Sequence, residues 1–183
     1  MELRRVLGSD AVDFYLWWND RTTRMFSGDG QRTSWEKHLR WFGENIQNPW
    51  WLVAMVDGQY IDDVEGRRVY VNGRSIGAAR IDDDPIDHRA WISINLDPRE
   101  RGKGYGTELI RLATDRYQGE QSAPLRRAVV YPGVQIRAED GPIAAPPVYA
   151  RIHKLNAPSI RAFEKAGYVK DAEDGVWLIY RKG

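Results

Sequence analysis

Trp35, Leu39, Phe42 and Ile46 recur at helical intervals until Asn48-Pro49 ends the run, and Thr33 and Glu36 ahead of them have capping-box spacing. The pattern predicts an amphipathic helix with one apolar stripe for a core. A shorter helix is predicted upstream, where Ser9 or Asp10 caps a segment holding Phe14, Leu16, Trp17 and Trp18 before the polar break Asn19-Asp20-Arg21. From Trp50 the texture turns to short β-prone runs: Trp51 to Val56, Arg68 to Val71, Ser75 to Ile81 and Ala90 to Leu96. Asp57-Gly58 is a turn, and Asn72-Gly73 reads as a hairpin turn joining the strands on either side of it.

After Leu96 the residues Leu109, Ile110, Leu112 and Ala113 predict a helix over Tyr105 to Tyr117. Leu125 to Tyr131 and Val148 to His153 read as strands, separated by a Pro- and Gly-rich stretch from Pro132 to Pro147 to which no element is assigned. Asn156 then caps a helix with Pro158 in its first turn, Ile160 and Phe163 on one face and Gly167 as its stop, before a last strand at Val176 to Tyr180. This alternation is that of a mixed α/β sandwich without internal repeats.

Composition narrows the picture. With 183 residues, 42% of them hydrophobic, the chain has material for one packed core, so residues 1–183 are expected to form a single domain. The formal net charge of +1 argues against a general nucleic-acid binder. The absence of cysteine removes disulfides, thiolate metal sites and an acyl-cysteine intermediate, and no metal site is expected. Met1 to Asp10 lacks a signal-peptide layout, and nowhere do about 18 apolar residues run together, so a cytoplasmic protein without membrane contact is expected.

The chemistry concentrates in Arg101-Gly102-Lys103-Gly104-Tyr105-Gly106, followed by Thr107, between a strand end and a helix start. There unpaired backbone N–H groups and the helix dipole favour an anion such as a pyrophosphate, the glycines permit close approach, and Arg99, Arg101 and Lys103 add local positive charge. A Walker loop would need Ser or Thr directly after Gly-Lys, but Gly104 follows Lys103. A dinucleotide fingerprint would need its third glycine one residue later, in a parallel βαβ unit. A solvated glycine-rich turn is the bland alternative.

This segment resembles the coenzyme A loop of the GNAT superfamily of N-acetyltransferases, Gln/Arg-x-x-Gly-x-Gly/Ala, with Arg101, Gly104 and Gly106 in the matching places. Asn156-Ala-Pro-Ser159-Ile-Arg-Ala-Phe163-Glu-Lys-Ala-Gly167-Tyr168 resembles a second segment of the same family. The resemblance implies a mostly antiparallel mixed sheet with helices on both faces and two splayed central strands, ending at Leu96 and near His153. It also implies acetyl-coenzyme A as co-substrate, its pantetheine arm in the gap beside Leu96 and Asn156, with Ser159 and Phe163 near it. Asn156 and Ser159 are equally explained as helix-capping residues.

The match departs at Phe163, where many members carry a Tyr whose hydroxyl protonates the departing thiolate; here the proton is expected to come from water or from another residue such as Tyr149 or Tyr168. The central strand, Trp91-Ile-Ser93-Ile-Asn95-Leu96, carries no carboxylate to act as base, which leaves His88 and His153 as the candidate catalytic residues, against the ordinary reading of a lone His as structural.

Trp18-Asn19-Asp20, Thr23-Arg24, Phe26-Ser27 and Trp35-Glu36-x-His38-Leu39-x-Trp41-Phe42 resemble the entry segment of two branches of the superfamily. One acetylates amino-sugar nucleotides, as in pseudaminic acid pathways, and the other the N-terminal amine of ribosomal proteins. The first implies a small-molecule amine acceptor, with Asn19, Arg24 and Phe26 against a nucleotide-linked sugar in a monomer or homodimer. A protein that binds acyl-coenzyme A without turnover is the alternative of a different class.

Overall fold

The computed structural model describes residues 1–27, 30–62, 64–87, 89–122 and 145–183. The strand expected at 125–131, most of the stretch 132–147 and His88 lie outside these residues. The strands are β1 (Glu2–Arg5), β2 (Trp51–Val56), β3 (Gln59–Asp62), β4 (Arg68–Val71), β5 (Arg74–Asp83), β6 (Ala90–Leu96), β7 (Val148–His153), β8 (Val169–Asp174) and β9 (Trp177–Lys182). The helices are α1 (Ala11–Trp18), α2 (Arg21–Met25), α3 (Trp35–Asn45), α4 (Tyr105–Gln121) and α5 (Ala157–Lys165). No helix among the described residues is long and apolar enough to cross a membrane.

Seven strands form one sheet in the order β1-β2-β5-β6-β7-β9-β8, antiparallel throughout except for the central pair β6–β7, which is parallel. Side chains alternate between its faces. Leu52, Ala54, Ile81, Ile92, Val148, Ala150 and Ile152 face α4 and α5, where they pack on Leu109, Ile110, Ala113 and Phe163. Trp51, Val53, Met55 and Ala78 face α1 and α3, where they meet Phe14, Trp17 and Phe42. Fully burying one Leu or Ile contributes about 1.5–3 kcal/mol, so sealed positions such as Leu52, Ile76, Leu109 and Ile110, all at 0% exposure, anchor the first layer.

Three local expectations are corrected. The Asn72-Gly73 turn does not join paired strands: β4 pairs with β3 in a separate two-stranded sheet, and β5 lies between β2 and β6. Asn72 takes the left-handed φ of 57° that such a turn needs, but the chain leaves it for the main sheet. α3 is capped by Ser34, whose side chain accepts from Lys37 N–H, and not by Thr33. Its inward stripe carries His38 in place of Leu39: Leu39 is 42% exposed, whereas buried His38 donates from Nε2 to Ala11 O at 2.9 Å and ties α3 to α1. Burial lowers the His38 pKa, so the ring is neutral.

Asp10 occupies the N-cap position of α1, yet its carboxylate is held elsewhere, receiving both guanidinium nitrogens of Arg4 at 2.6 and 2.7 Å and Leu7 N–H at 2.7 Å.

Candidate active site at the splayed strands

Among the described residues, β6 and β7 are in register only at Ala90 with Val148 and Trp91 with Tyr149. Beyond that point they diverge, leaving a gap between Ile92–Leu96 and Ala150–His153. The register places Trp91, Ser93 and Asn95 with Tyr149, Arg151 and His153 on the face away from α4 and α5.

The glycine loop opens beside this gap. Asp97 ends β6 by capping a short 3-10 turn at Pro98–Glu100, and Gly104 then stands as N-cap of α4. Gly102 and Gly104 have φ of +79° and +90°, and a Cβ added at either would meet no atom within 4 Å, so the backbone there is open on its outer side. At Gly106 a Cβ would lie 3.5 Å from Leu96 and 3.9 Å from Ala162, which places the start of α4 against the end of β6 and against α5. Leading N–H groups of α4 therefore project beside the gap, the donor set that a pyrophosphate requires. Thr107, with its N–H on Gly104 O at 3.1 Å, lies one turn into the helix.

The cationic side chains of the loop are already engaged. Arg99 donates to Asp97, and Lys103 pairs with Glu100 at 3.0 Å, which also receives Arg74 at 2.9 Å. The Lys103 and Arg74 partners hold the Glu100 carboxyl below its usual range. Arg101 turns away from the loop: Nη1 donates to Asp20 Oδ1 at 2.6 Å, and Nη2 to Thr23 Oγ1 at 2.9 Å and Leu96 O at 3.2 Å. Burial acts to raise the Asp20 pKa, but the Arg101 hydrogen bond and the backbone N–H groups of α2 hold it below the ordinary value. What the loop offers an anion is its backbone.

Asn156 caps α5, its Oδ1 accepting from Ser159 N–H at 3.2 Å, so the amide NH₂ is the part of its side chain not used by the cap. Phe163 is buried beneath the gap, edge-on to Tyr168 at 5.0 Å. Tyr168 is itself buried, hydrogen-bonded to Thr114 at 2.7 Å, and burial raises its pKa; its hydroxyl points under α4 and is no substitute acid. His153 lies at the open end of β7 between Phe26 at 5.6 Å and Trp177 at 5.3 Å. Its Nδ1 accepts from Leu155 N–H at 3.1 Å, which in the neutral ring puts the proton on Nε2.

Asn19 is buried and both ends of its amide bond Thr33, at 2.8 and 3.0 Å. It shapes a wall and presents nothing to a ligand. Beside it α1, α2 and α3 enclose a cleft of about 340 Å³ lined by Trp18, Arg24, Arg32, Thr33, Lys37 and Trp41, with Gln31 and His38 completing the lining. The Trp18 and Trp41 rings are near parallel, 6.3 Å apart, and the Arg24 guanidinium lies 5.3 Å over Trp18. Arg80, cross-strand from Ser93, reaches over Trp41 at 5.0 Å and so connects the cleft to the face of the gap. Arg32, Lys37 and Arg80 were not singled out by the sequence, since they come together only when three helices fold onto the sheet.

Solved structures share this architecture. A domain from Methanocaldococcus jannaschii DSM 2661 superposes with a TM-score of 0.66 at 16% identity, over 99% of this chain and 96% of that one. Ribosomal-protein-alanine N-acetyltransferase from Brucella melitensis does so at 0.65 and 14%, over 100% and 99%. Spermidine N-acetyltransferase from Vibrio cholerae, in complex with CoA and spermine, gives 0.63 and 14%, over 98% and 92%. No curated protein matches the chain in sequence. The fold is thus one that acetyltransferases use. The chain belongs to the acetyltransferase (GNAT) domain family, whose model matches residues 1–169. It is accordingly an N-acetyltransferase whose acetyl donor is acetyl-coenzyme A.

Proposed function

We propose that the enzyme acetylates the primary amine of a small acceptor that carries negative charge, a nucleotide-linked amino sugar being the best fit, by direct transfer while both substrates are bound. The observation that carries this reading is the cleft between α1, α2 and α3: among the described residues its lining holds the cations Arg24, Arg32 and Lys37 and the indoles of Trp18 and Trp41. Guanidinium and ammonium groups suit a diphosphate, and indole faces suit a base or sugar ring. Three cations on the described lining suit a polyamine less well than an anion. The likeness to the spermidine enzyme extends to the fold alone at 14% identity. Phe26, at the end of α2, would carry the acceptor past Arg24 to the gap. The unit is read as one acetyltransferase domain over 1–183, monomeric or homodimeric, working in the cytoplasm.

On this reading the backbone of Arg101 to Thr107 binds the pyrophosphate, and Leu96, Asn156, Ser159 and Phe163 line the arm. Bound acetyl-coenzyme A supplies an acyl carbon activated as a thioester. The protein's part is to aim the amine through the gap and exclude competing water. Nitrogen bonds to the acyl carbon, the C–S bond breaks, and the amine proton leaves to water. Neither His153, whose Nδ1 is taken, nor Tyr168 is the base or acid; water protonates the departing thiolate. General-acid help forgone here is worth about 10²–10⁴-fold.

The test is a panel of sugar nucleotides, peptides and polyamines, with release of free thiol as the readout. Arg24→Ala and Lys37→Ala should each raise the acceptor KM on the order of tenfold or more, as loss of a charge-assisted hydrogen bond of about 1.5–3 kcal/mol implies, and leave the KM for acetyl-coenzyme A nearly unchanged. Preference for a peptide amine or a polyamine over every sugar nucleotide would refute the acceptor assignment. Release of no thiol with any amine would favour an acyl-coenzyme A binding module instead.

A further inference from the structure

The coenzyme loop and the acceptor cleft meet at one carboxylate. Asp20 Oδ1 accepts from Thr22 N–H at 3.1 Å and Thr23 N–H at 3.2 Å, capping α2, and the same oxygen receives Arg101 Nη1 at 2.6 Å. Thr23 Oγ1 accepts from Arg101 Nη2 at 2.9 Å and donates to Asn95 Oδ1 at 3.3 Å on β6. α2 then carries Arg24, which lies over Trp18 in the cleft, and leads to Phe26, which packs on His153 of β7. This one turn of helix therefore spans the open ends of both splayed strands.

α2 has only five residues, RTTRM, too few to hold helical form by themselves. The Asp20 cap, the Arg101 pair and the Phe26 contact are among what places it. Arg101 belongs by its backbone to the glycine loop and by its guanidinium to α2, so a shift of the loop is passed to the cleft wall. Ion pairs of this kind give charge-assisted hydrogen bonds about twice as strong as neutral ones, and this one is only partly open to solvent, with side-chain exposures of 29% for Arg101 and 23% for Asp20.

We infer that Asp20 is a positioning residue: through Arg101 it makes the order of α2, and with it the acceptor cleft, depend on occupancy of the coenzyme loop. The inference rests on the reading that this loop holds acetyl-coenzyme A. By linkage, whatever the coenzyme does for the cleft, a ligand in the cleft does for the coenzyme.

Hydrogen exchange in a peptide spanning residues 19–27 tests this, measured on the full chain with and without saturating acetyl-coenzyme A. In the wild type the coenzyme should slow exchange by about fivefold or more, the lower end of ordinary coupling. Asp20→Asn keeps a cap acceptor but removes the charge, and Thr23→Val keeps the shape but removes the relay to Asn95. Both should bind acetyl-coenzyme A within about threefold of wild type by calorimetry, and both should bring the ratio of exchange rates below about twofold. A residue that merely held α2 in place would change exchange equally with and without coenzyme, leaving the ratio intact. An intact ratio in both variants, or no protection of the wild-type peptide despite coenzyme binding, overturns the inference. If Asp20→Asn lowers the melting temperature, Thr23→Val decides. If acetyl-coenzyme A fails to bind the wild type at all, calorimetry shows that the loop reading has failed, and this inference falls with it.

Discussion

Substituting Gly104 by valine tests the coenzyme loop most directly. Gly104 caps α4 at φ +90° and its missing Cβ would point where no protein atom lies within 4 Å, on the side to which the first N–H groups of the helix project. An L-residue with a left-handed backbone costs about 1–2 kcal/mol, more for a β-branched one. The substitution therefore either strains the loop or rotates it, and its side chain fills the approach to the N–H groups. If two hydrogen bonds to a phosphate are lost at about 1.5–3 kcal/mol each, affinity for acetyl-coenzyme A falls on the order of 10²–10⁴-fold. Strain alone would lower the melting temperature by only a few degrees in a chain of this size. Gly119→Ala is the control: it lies inside α4, a Cβ there meets nothing within 4 Å, and it should stabilise the helix by about 0.5–1 kcal/mol without touching the coenzyme affinity. The measurements are calorimetry with acetyl-coenzyme A and a thermal melt of each variant. A Gly104→Val protein that keeps its fold and binds within twofold of wild type would show that the loop does not grip the pyrophosphate.

Three further outcomes are expected. Because the chain contains no cysteine, initial-rate plots at varied acetyl-coenzyme A and amine should intersect, and parallel lines or a trapped acetyl-protein would disprove direct transfer. Phe163 is 3% exposed, so Phe163→Ala should cost about 3–5 kcal/mol in denaturant melts, whereas Phe163→Tyr should preserve coenzyme binding; loss of binding in Phe163→Tyr would mean that α5 is misassigned. The Arg99 guanidinium holds the buried Asp97 carboxyl at about 2, below its usual 3.8. A depressed folded-state pKa adds stability above about pH 4 that is lost as pH falls towards 2, so Asp97→Asn should cost on the order of 1–2 kcal/mol at pH 7, after screening of the exposed Arg99, and almost nothing near pH 2. A difference that does not shrink in acid would contradict this.

The sequence made the buried strands easy to read. Trp51–Val56, Ala90–Leu96 and Val148–His153 appear with the bounds their apolar runs indicate, because central strands cover both faces with such residues. The flanking strands were illegible for the opposite reason. β1 reads Glu-Leu-Arg-Arg and β8 Val-Lys-Asp-Ala-Glu-Asp, and both are strands because their backbones pair with β2 and β9, not because of their side chains. α2 looked like a polar break since what fixes it, Arg101, is 81 residues away from Asp20. Within the site, the glycines and Asn156 were visible as local motifs. In the sequence Arg101 looks like charge for a phosphate, because nothing nearby names its carboxylate partner, Asp20. The cations Arg32 and Lys37 carried no periodic signal at all, and His38 hid its inward position behind the more apolar Leu39.

The gap between β6 and β7 also sets a timetable for synthesis. As the chain emerges from a ribosome, β1, β2, β5 and β6 with α4 are available together, whereas β7, β8 and β9 arrive last, and until they do β6 lacks the neighbour it has in the finished sheet. Its residues Trp91, Ile92, Ile94 and Leu96 are of the kind that recruit strands from other molecules. When β7 docks, registered pairing at Ala90 and Trp91 covers the foot of β6 and leaves its upper part open. A chain interrupted before Val148 would thus lack the neighbour that β6 has in the finished sheet and should be prone to clump, which shorter stalls at that point would lessen.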